Sequence, residues 1–152
     1  MNVSVVIPVY NAAAYVERAV KSALAQPETA EVILVEDGSF DESLAICQQL
    51  AEQNQFRSLY RHPNGENRGP GATRNLGILK GRYEFLAFLD ADDIYLPDRF
   101  SVAKSIFESD PWVEGVYEAV ALRVENKAGL ERWAAAGRGL AELVTVRETI
   151  EP

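Results

Sequence analysis

One cysteine in 152 residues, Cys47, excludes an internal disulfide framework, and its apolar neighbours make it a buried small side chain in a protein of a reducing compartment. Positive charge is also scarce. Fifteen Lys and Arg stand against 23 Asp and Glu, a net charge of -8, which argues against a nucleic-acid partner because such binding rests on clustered cations that neutralise phosphates. Long hydrophobic runs are missing: the first apolar stretch, Val3 to Val9, has no basic residues before it and is too short to cross a bilayer, so it reads as a strand. A cytoplasmic location follows as the expectation, with peripheral attachment at the cytoplasmic membrane face still open. With 47% hydrophobic and 25% charged residues and no repeat or low-complexity tract, the chain is expected to form one globular domain over residues 1–152.

What is present alternates. Val3 to Val9 is β-branched and almost continuously apolar, as in a strand covered on both faces. Asn11 is placed to cap a helix over Ala12 to Gln26 with Val16, Val20, Ala23 and Leu24 on one face. Glu31 to Val35 reads as a second strand, and the Ser39-x-x-Glu42 spacing predicts a capping box opening a helix through Gln53. Arg57 to Arg61 is a third strand, followed by a polar turn-rich loop, a helix from Pro70 to Leu79 and a strand from Tyr83 to Leu89. Pro97 starts a further helix with Phe100, Ala103, Ile106 and Phe107 inward. Val113 to Val124 reads as extended, Glu125 to Gly129 as a hairpin loop before Leu130 to Trp133, and Leu143 to Ile150 as a last strand or a tail. The order of elements predicts an α/β fold, a mostly parallel sheet flanked by helices, in which ligands bind beyond the carboxyl ends of the strands. No helix closes the sheet at the end, as expected of a truncated fold.

Two strands end in acids, Glu36-Asp37 and Asp90-Ala91-Asp92-Asp93, and parallel strands would bring both clusters to one rim. Carboxylates about 4 Å apart repel by roughly 4 kcal/mol at an effective dielectric of 20, so a buried pair would protonate or take up a cation. Asp90 and Asp92 suit a hard divalent ion, Mn²⁺ or Mg²⁺, whose shell a substrate diphosphate would complete; an acidic turn capping the next helix is the alternative. At the same rim, Tyr10 offers a ring to a nucleobase or to the core, and Asp37 accepts from a base or ribose or serves as a turn residue. Arg68 and Arg74 suit phosphate oxygens, or solvent. His62 is given no role.

Residues 3–11 (VSVVIPVYN), 35–39 (VEDGS), 71–75 (GATRN) with Gly77, and 89–93 (LDADD) followed by Leu96-Pro97-Asp98 resemble, in this order, the nucleotide-binding half of the family 2 glycosyltransferases, inverting enzymes of the GT-A fold. The resemblance covers about residues 3 to 100. It implies a nucleotide-binding part over about 1–110 and the start of an acceptor-side part over 111–152. It implies that Asp37 binds the base with Pro8 and Tyr10 lining that subsite, that Asp90 lies near the ribose, and that Asp92 ligates the metal at the diphosphate. Arg68 and Arg74 would contact nucleotide or phosphate. The implied reaction passes a sugar with inversion from a nucleotide-sugar donor, a UDP-sugar foremost, to a hydroxyl of a carbohydrate or lipid-linked acceptor, as in polysaccharide assembly; a homodimer is compatible. Glu36 and Phe40 depart from the aspartate and threonine common in the family. No glutamate beyond residue 110 matches the family's catalytic base, so none is assigned.

Rival readings fit less of the chain. A dinucleotide-dependent oxidoreductase would need a glycine loop after the first strand, where Pro8 to Ala14 contains no glycine. An aspartyl-phosphate phosphatase would carry its acidic motif on the first strand, and no Walker A lysine motif occurs. A non-catalytic nucleotide-sugar-binding module, or a transferase fragment, remains the alternative of a different class.

Overall fold

The computed structural model describes residues 1–53 and 57–117. By compactness the chain divides into Met1–Val113 and Glu114–Pro152, and every element below lies in the first unit. The hairpin loop, the strand before Trp133 and the segment 143–150 expected from the sequence lie outside the described residues, as does most of the extended segment Val113 to Val124, whose residues 113–117 carry no strand.

The elements run β1 (Val3–Val9), α1 (Val16–Leu24), β2 (Thr29–Glu36), α2 (Ser43–Glu52), β3 (Arg57–Arg61), a short 3₁₀ turn (Pro63–Gly65), α3 (Gly69–Lys80), β4 (Phe85–Phe88) and α4 (Ser101–Ser109). Among the described residues the strands form one sheet in the order β3-β2-β1-β4, with every adjacent pair parallel. The chain steps outward from β1 to β3 and then returns to the other side of β1, so the strand order reverses at β1, the position where open α/β sheets leave a crevice.

Both faces of β1 and β2 are covered, which is why these strands read as almost continuous apolar runs. Val3, Val5, Ile7 and Val9 pack with Val32 and Leu34 under α1 and α2 through Val16, Ala19, Val20, Cys47 and Leu50, while Val6, Ile33 and Val35 turn to the other face toward Leu76 of α3. Gly77 makes that second contact possible. A Cβ there would stand 2.2 Å from Val6 Cγ1, so α3 seats directly on the sheet.

Two helix starts differ from the sequence expectation, for the same physical reason. Asn11 does not cap a helix at Ala12; it sits in the left-handed region (φ 49°) and its Oδ1 accepts from the Phe40 N–H, so α1 begins later, at Val16. Ser39 does not form a capping box with Glu42. Its Oγ accepts from the Asn11 N–H, Asp41 Oδ1 takes the Ser43 N–H, and α2 begins at Ser43. Side chains that would cap locally are instead used to tie the turn after β1 to the turn after β2, joined further by Ala12 N–H to Ser43 Oγ and Ala13 N–H to Asp41 Oδ2. The helix expected from Pro97 likewise starts at Ser101, with Phe100 and Ala103 buried and Ile106 and Phe107 half-buried.

Candidate functional site

The carboxyl ends of β1, β2 and β4 open onto a cleft of about 520 Å³. Pro8, Tyr10, Asn11, Ala12 and Tyr15 line it from β1 and the turn beyond, Asp37 from the end of β2, Asn67 from the loop before α3, Gly69, Pro70, Thr73 and Arg74 from the start of α3, and Asp90 to Asp92 from the turn after β4. Six of the seven residues singled out by the sequence therefore share one cavity. The seventh, Arg68, turns its side chain to Glu66, 2.5 Å away, and borders a separate hollow of about 540 Å³ with Tyr60, His62 and Lys80.

Asp37 is 3% exposed and its two oxygens are already engaged: Oδ1 accepts the Arg68 N–H at 2.8 Å and Oδ2 the Gly69 N–H at 2.9 Å. The carboxylate thus anchors the start of α3, where exposed N–H groups and the helix dipole favour an anion. Each oxygen retains one further lone pair. Gly38 makes this approach feasible, since at its φ of +72° a Cβ would lie 2.8 Å from both Asn67 N and Gly65 O.

Behind Asp37 lies His62, to which the sequence reading gave no role. It is 8% exposed, with Nε2 3.7 Å from Asp37 Oδ1 and 3.4 Å from Thr73 Oγ1. Thr73 Oγ1 donates in turn to the Gly69 carbonyl. Nothing local marked this histidine, because its burial is created by α3 folding back over the loop. Glu36, the departure noted beside Asp37, does not line the cleft. It is fully buried, with Oε2 2.6 Å from Arg61 Nε and Oε1 accepting the Ser39 N–H. Burial pushes its pKa up, but the bonds from Ser39 and the Arg61 charge outweigh it and hold the carboxyl below the usual range.

At the other wall Asp90 and Asp92 are both exposed, so the repulsion reckoned for a buried pair is screened here by water. Arg74 Nη2 reaches Asp90 Oδ1 at 2.5 Å, so the arginine and the first carboxylate of the turn already meet across the cleft. Asp92 enters none of the ion pairs formed among the described residues. Asp93 is held above the usual carboxylate range, by burial first and then by repulsion from Asp92 and Asp90. Among the described residues no three His, Cys, Asp or Glu side chains converge as a closed metal cage. The donor set nevertheless fits a hard cation: oxygen ligands only, negative charge crowded enough to perturb a neighbour, and an open side for further ligands.

Comparison with known proteins agrees with this geometry. A family model described as "Glycosyl transferase family 2" matches residues 4–114. The succinoglycan biosynthesis protein ExoU of Rhizobium meliloti is 37% identical over 111 residues, covering 73% of this chain and 31% of that protein. A mannosyltransferase from Pyrobaculum calidifontis, solved in complex with GDP-Man and Mn²⁺, superposes with a TM-score of 0.62 at 25% identity over 74% of this chain and 33% of its own. S. aureus TarS 1-349, solved with UDP, shares the fold with a TM-score of 0.63 at 24% identity over 81% of this chain and 38% of its own. These neighbours carry the GT-A fold that the sequence resemblance implied. The chain spans less than half the length of the curated relatives it matches. Since the matched region runs from β1 past the acidic turn and so contains every wall of the cleft, the chain belongs to glycosyl transferase family 2.

Proposed function

We propose that the cleft is the donor site of a metal-dependent, inverting glycosyltransferase, binding a nucleotide-sugar such as a UDP-sugar for transfer to a saccharide hydroxyl. The observation that carries this reading is the convergence of Tyr10, Asp37, Arg74, Asp90 and Asp92 on one open cavity at the strand-order reversal. Division of labour follows from position and charge. Asp37, buried and held by two backbone N–H groups, keeps lone pairs for the N–H of a base, with Pro8 and Tyr10 as apolar walls. Arg74 is the cation of the cleft and suits phosphate oxygens; its present partner Asp90 is half-exposed and exchangeable.

Asp90 and Asp92 would hold the Mn²⁺ or Mg²⁺ ion. When bound, that cation supplies Lewis-acid stabilisation of charge on the departing diphosphate. That the Pyrobaculum mannosyltransferase was solved with both GDP-Man and Mn²⁺ supports a role for such a cation. The chain's own part is to fix the nucleotide at both ends and leave the sugar facing the open side of the cleft, where an acceptor hydroxyl attacks opposite the leaving group. The segment after residue 110 is proposed as the beginning of the acceptor side.

Calorimetric titration of the full chain with UDP, GDP and their sugars, with and without Mn²⁺, alongside an assay for donor hydrolysis, tests the proposal. Micromolar binding that requires Mn²⁺ is expected. Tight binding without hydrolysis or transfer points to the binding module instead, and no metal-dependent nucleotide binding removes both.

A further inference from the structure

We propose that Phe40 is a second aromatic wall of the nucleobase subsite, a specificity-determining residue that flanks a base stacked on Tyr10. This rests on the reading of the cleft as a nucleoside-diphosphate site and extends it to a residue outside the cleft's own lining.

Phe40 is 89% exposed. A large apolar ring in that position adds nothing to the core, and folding alone gives no reason for it. It is not a loosely held side chain on a free loop, however. Its N–H donates to Asn11 Oδ1 at 2.9 Å, the Asn11 N–H donates to Ser39 Oγ at 3.0 Å, and the Ala13 N–H donates to Asp41 Oδ2 at 3.0 Å. Asn11 adopts the left-handed conformation that this stitching requires. The turns after β1 and β2 are therefore locked to each other next to the Tyr10–Phe40 pair.

The lock fixes two rings at an angle. Their centroids are 6.4 Å apart and their planes cross at 72°, an edge-to-face arrangement of the favoured kind. Tyr10 lines the cleft and is still 46% exposed, so its ring remains available to a ligand. The two rings thus make a corner, and Asp37, three residues before Phe40, lines the same cleft with one backbone N–H accepted on each oxygen and capacity for a further donor. A planar ligand with an aromatic face and an N–H donor satisfies all three groups. A phosphate would meet a carboxylate and two apolar rings, which leaves the base as the part of the donor that belongs here.

The test compares the full chain with Phe40→Ala and Phe40→Trp, in Mn²⁺, by titration with UDP and separately with inorganic pyrophosphate. Loss of one aromatic contact is expected to weaken UDP about five- to tenfold, with pyrophosphate unchanged and Phe40→Trp restoring most of the loss. Melting temperature should stay level, since the ring is outside the core. UDP binding to Phe40→Ala as tight as to the parent overturns the assignment. So does an equal loss for UDP and pyrophosphate, or a loss seen for a saccharide acceptor and not for UDP. A parent chain that binds pyrophosphate but discriminates no nucleotide from it overturns the donor reading itself.

Discussion

The two ends of the sheet both gather acids and arginines, yet they are built on opposite terms. At the amino ends, Glu31 of β2 is 1% exposed and saturated: Ser4 Oγ donates to Oε1, the Arg82 N–H donates to Oε1, and Arg82 Nε reaches Oε2 at 2.7 Å, while Ser4 Oγ also accepts the Tyr83 N–H. Burial raises the pKa of Glu31, but these donors outweigh it and leave it lowered. At the carboxyl ends, Asp92 stands exposed outside the ion-pair network and Asp93 is pushed up by burial and by its acidic neighbours. One end has spent its hydrogen-bonding capacity on the fold. The other satisfies Glu36 in the same way but leaves the acidic turn after β4 with capacity in reserve, which is what a ligand site requires.

Substitutions at the two rims should separate stability from binding. The largest effect is expected at Asp92→Asn, which should lower Mn²⁺-dependent nucleotide binding or transfer by about 100-fold while leaving the thermal midpoint near the parent's, because nothing in the described fold leans on it. Calorimetry paired with a melting curve reads both; a large loss of stability would break the comparison. Next comes the packing beneath the site. Gly77→Ala forces a methyl against Val6 and should cost about 1–3 kcal/mol in denaturant unfolding, as Val6 and α3 are pushed apart.

Ser4→Ala probes the amino end directly. It leaves the Tyr83 N–H and one Glu31 oxygen short of a partner, for an expected loss of about 1–3 kcal/mol, with nucleotide affinity unchanged within error. A smaller effect is expected from acid. Glu31 and Glu36 both titrate below their ordinary value in the folded chain, so their stabilisation is complete above the unfolded-state pKa of about 4.3 and is lost as pH falls through the lower folded values. Melting midpoints should therefore be flat from neutral pH down to about pH 5 and fall below about pH 4, and Glu31→Gln should flatten part of that fall. Smallest in stability is Arg74→Met. Arg74 and Asp90 are each more than a third exposed, so their pair contributes about 0–1 kcal/mol, and the readout that should move is affinity for pyrophosphate.

Much of the site was legible because it is written in short stretches at strand ends. Asp37, Asp90 and Asp92 follow apolar runs whose parallel direction follows from the alternation of strands and helices, so their meeting on one rim could be expected without coordinates. Asn11, Ser39 and Glu42 were misread for a related reason. Each is a good capping residue taken singly, and only when β1 and β2 lie side by side do Asn11 and Ser39 find partners in the other turn. The burial of His62 and Glu36 was not legible, because it comes from contacts with Asp37, Thr73 and Arg61 that lie 11 to 25 positions away and leave no periodic trace in the sequence.

The order of strands and helices, the apolar runs that must be covered on both faces and the carboxylates that end them are set by local pattern, since side-chain periodicity and β-branched composition act within a few residues. Which lone pairs remain for a ligand is not local. It depends on Arg68 and Gly69 reaching back to Asp37, on Arg74 crossing to Asp90 and on two turns locking Tyr10 beside Phe40, contacts between segments far apart in the chain that exist only once the sheet has brought them together.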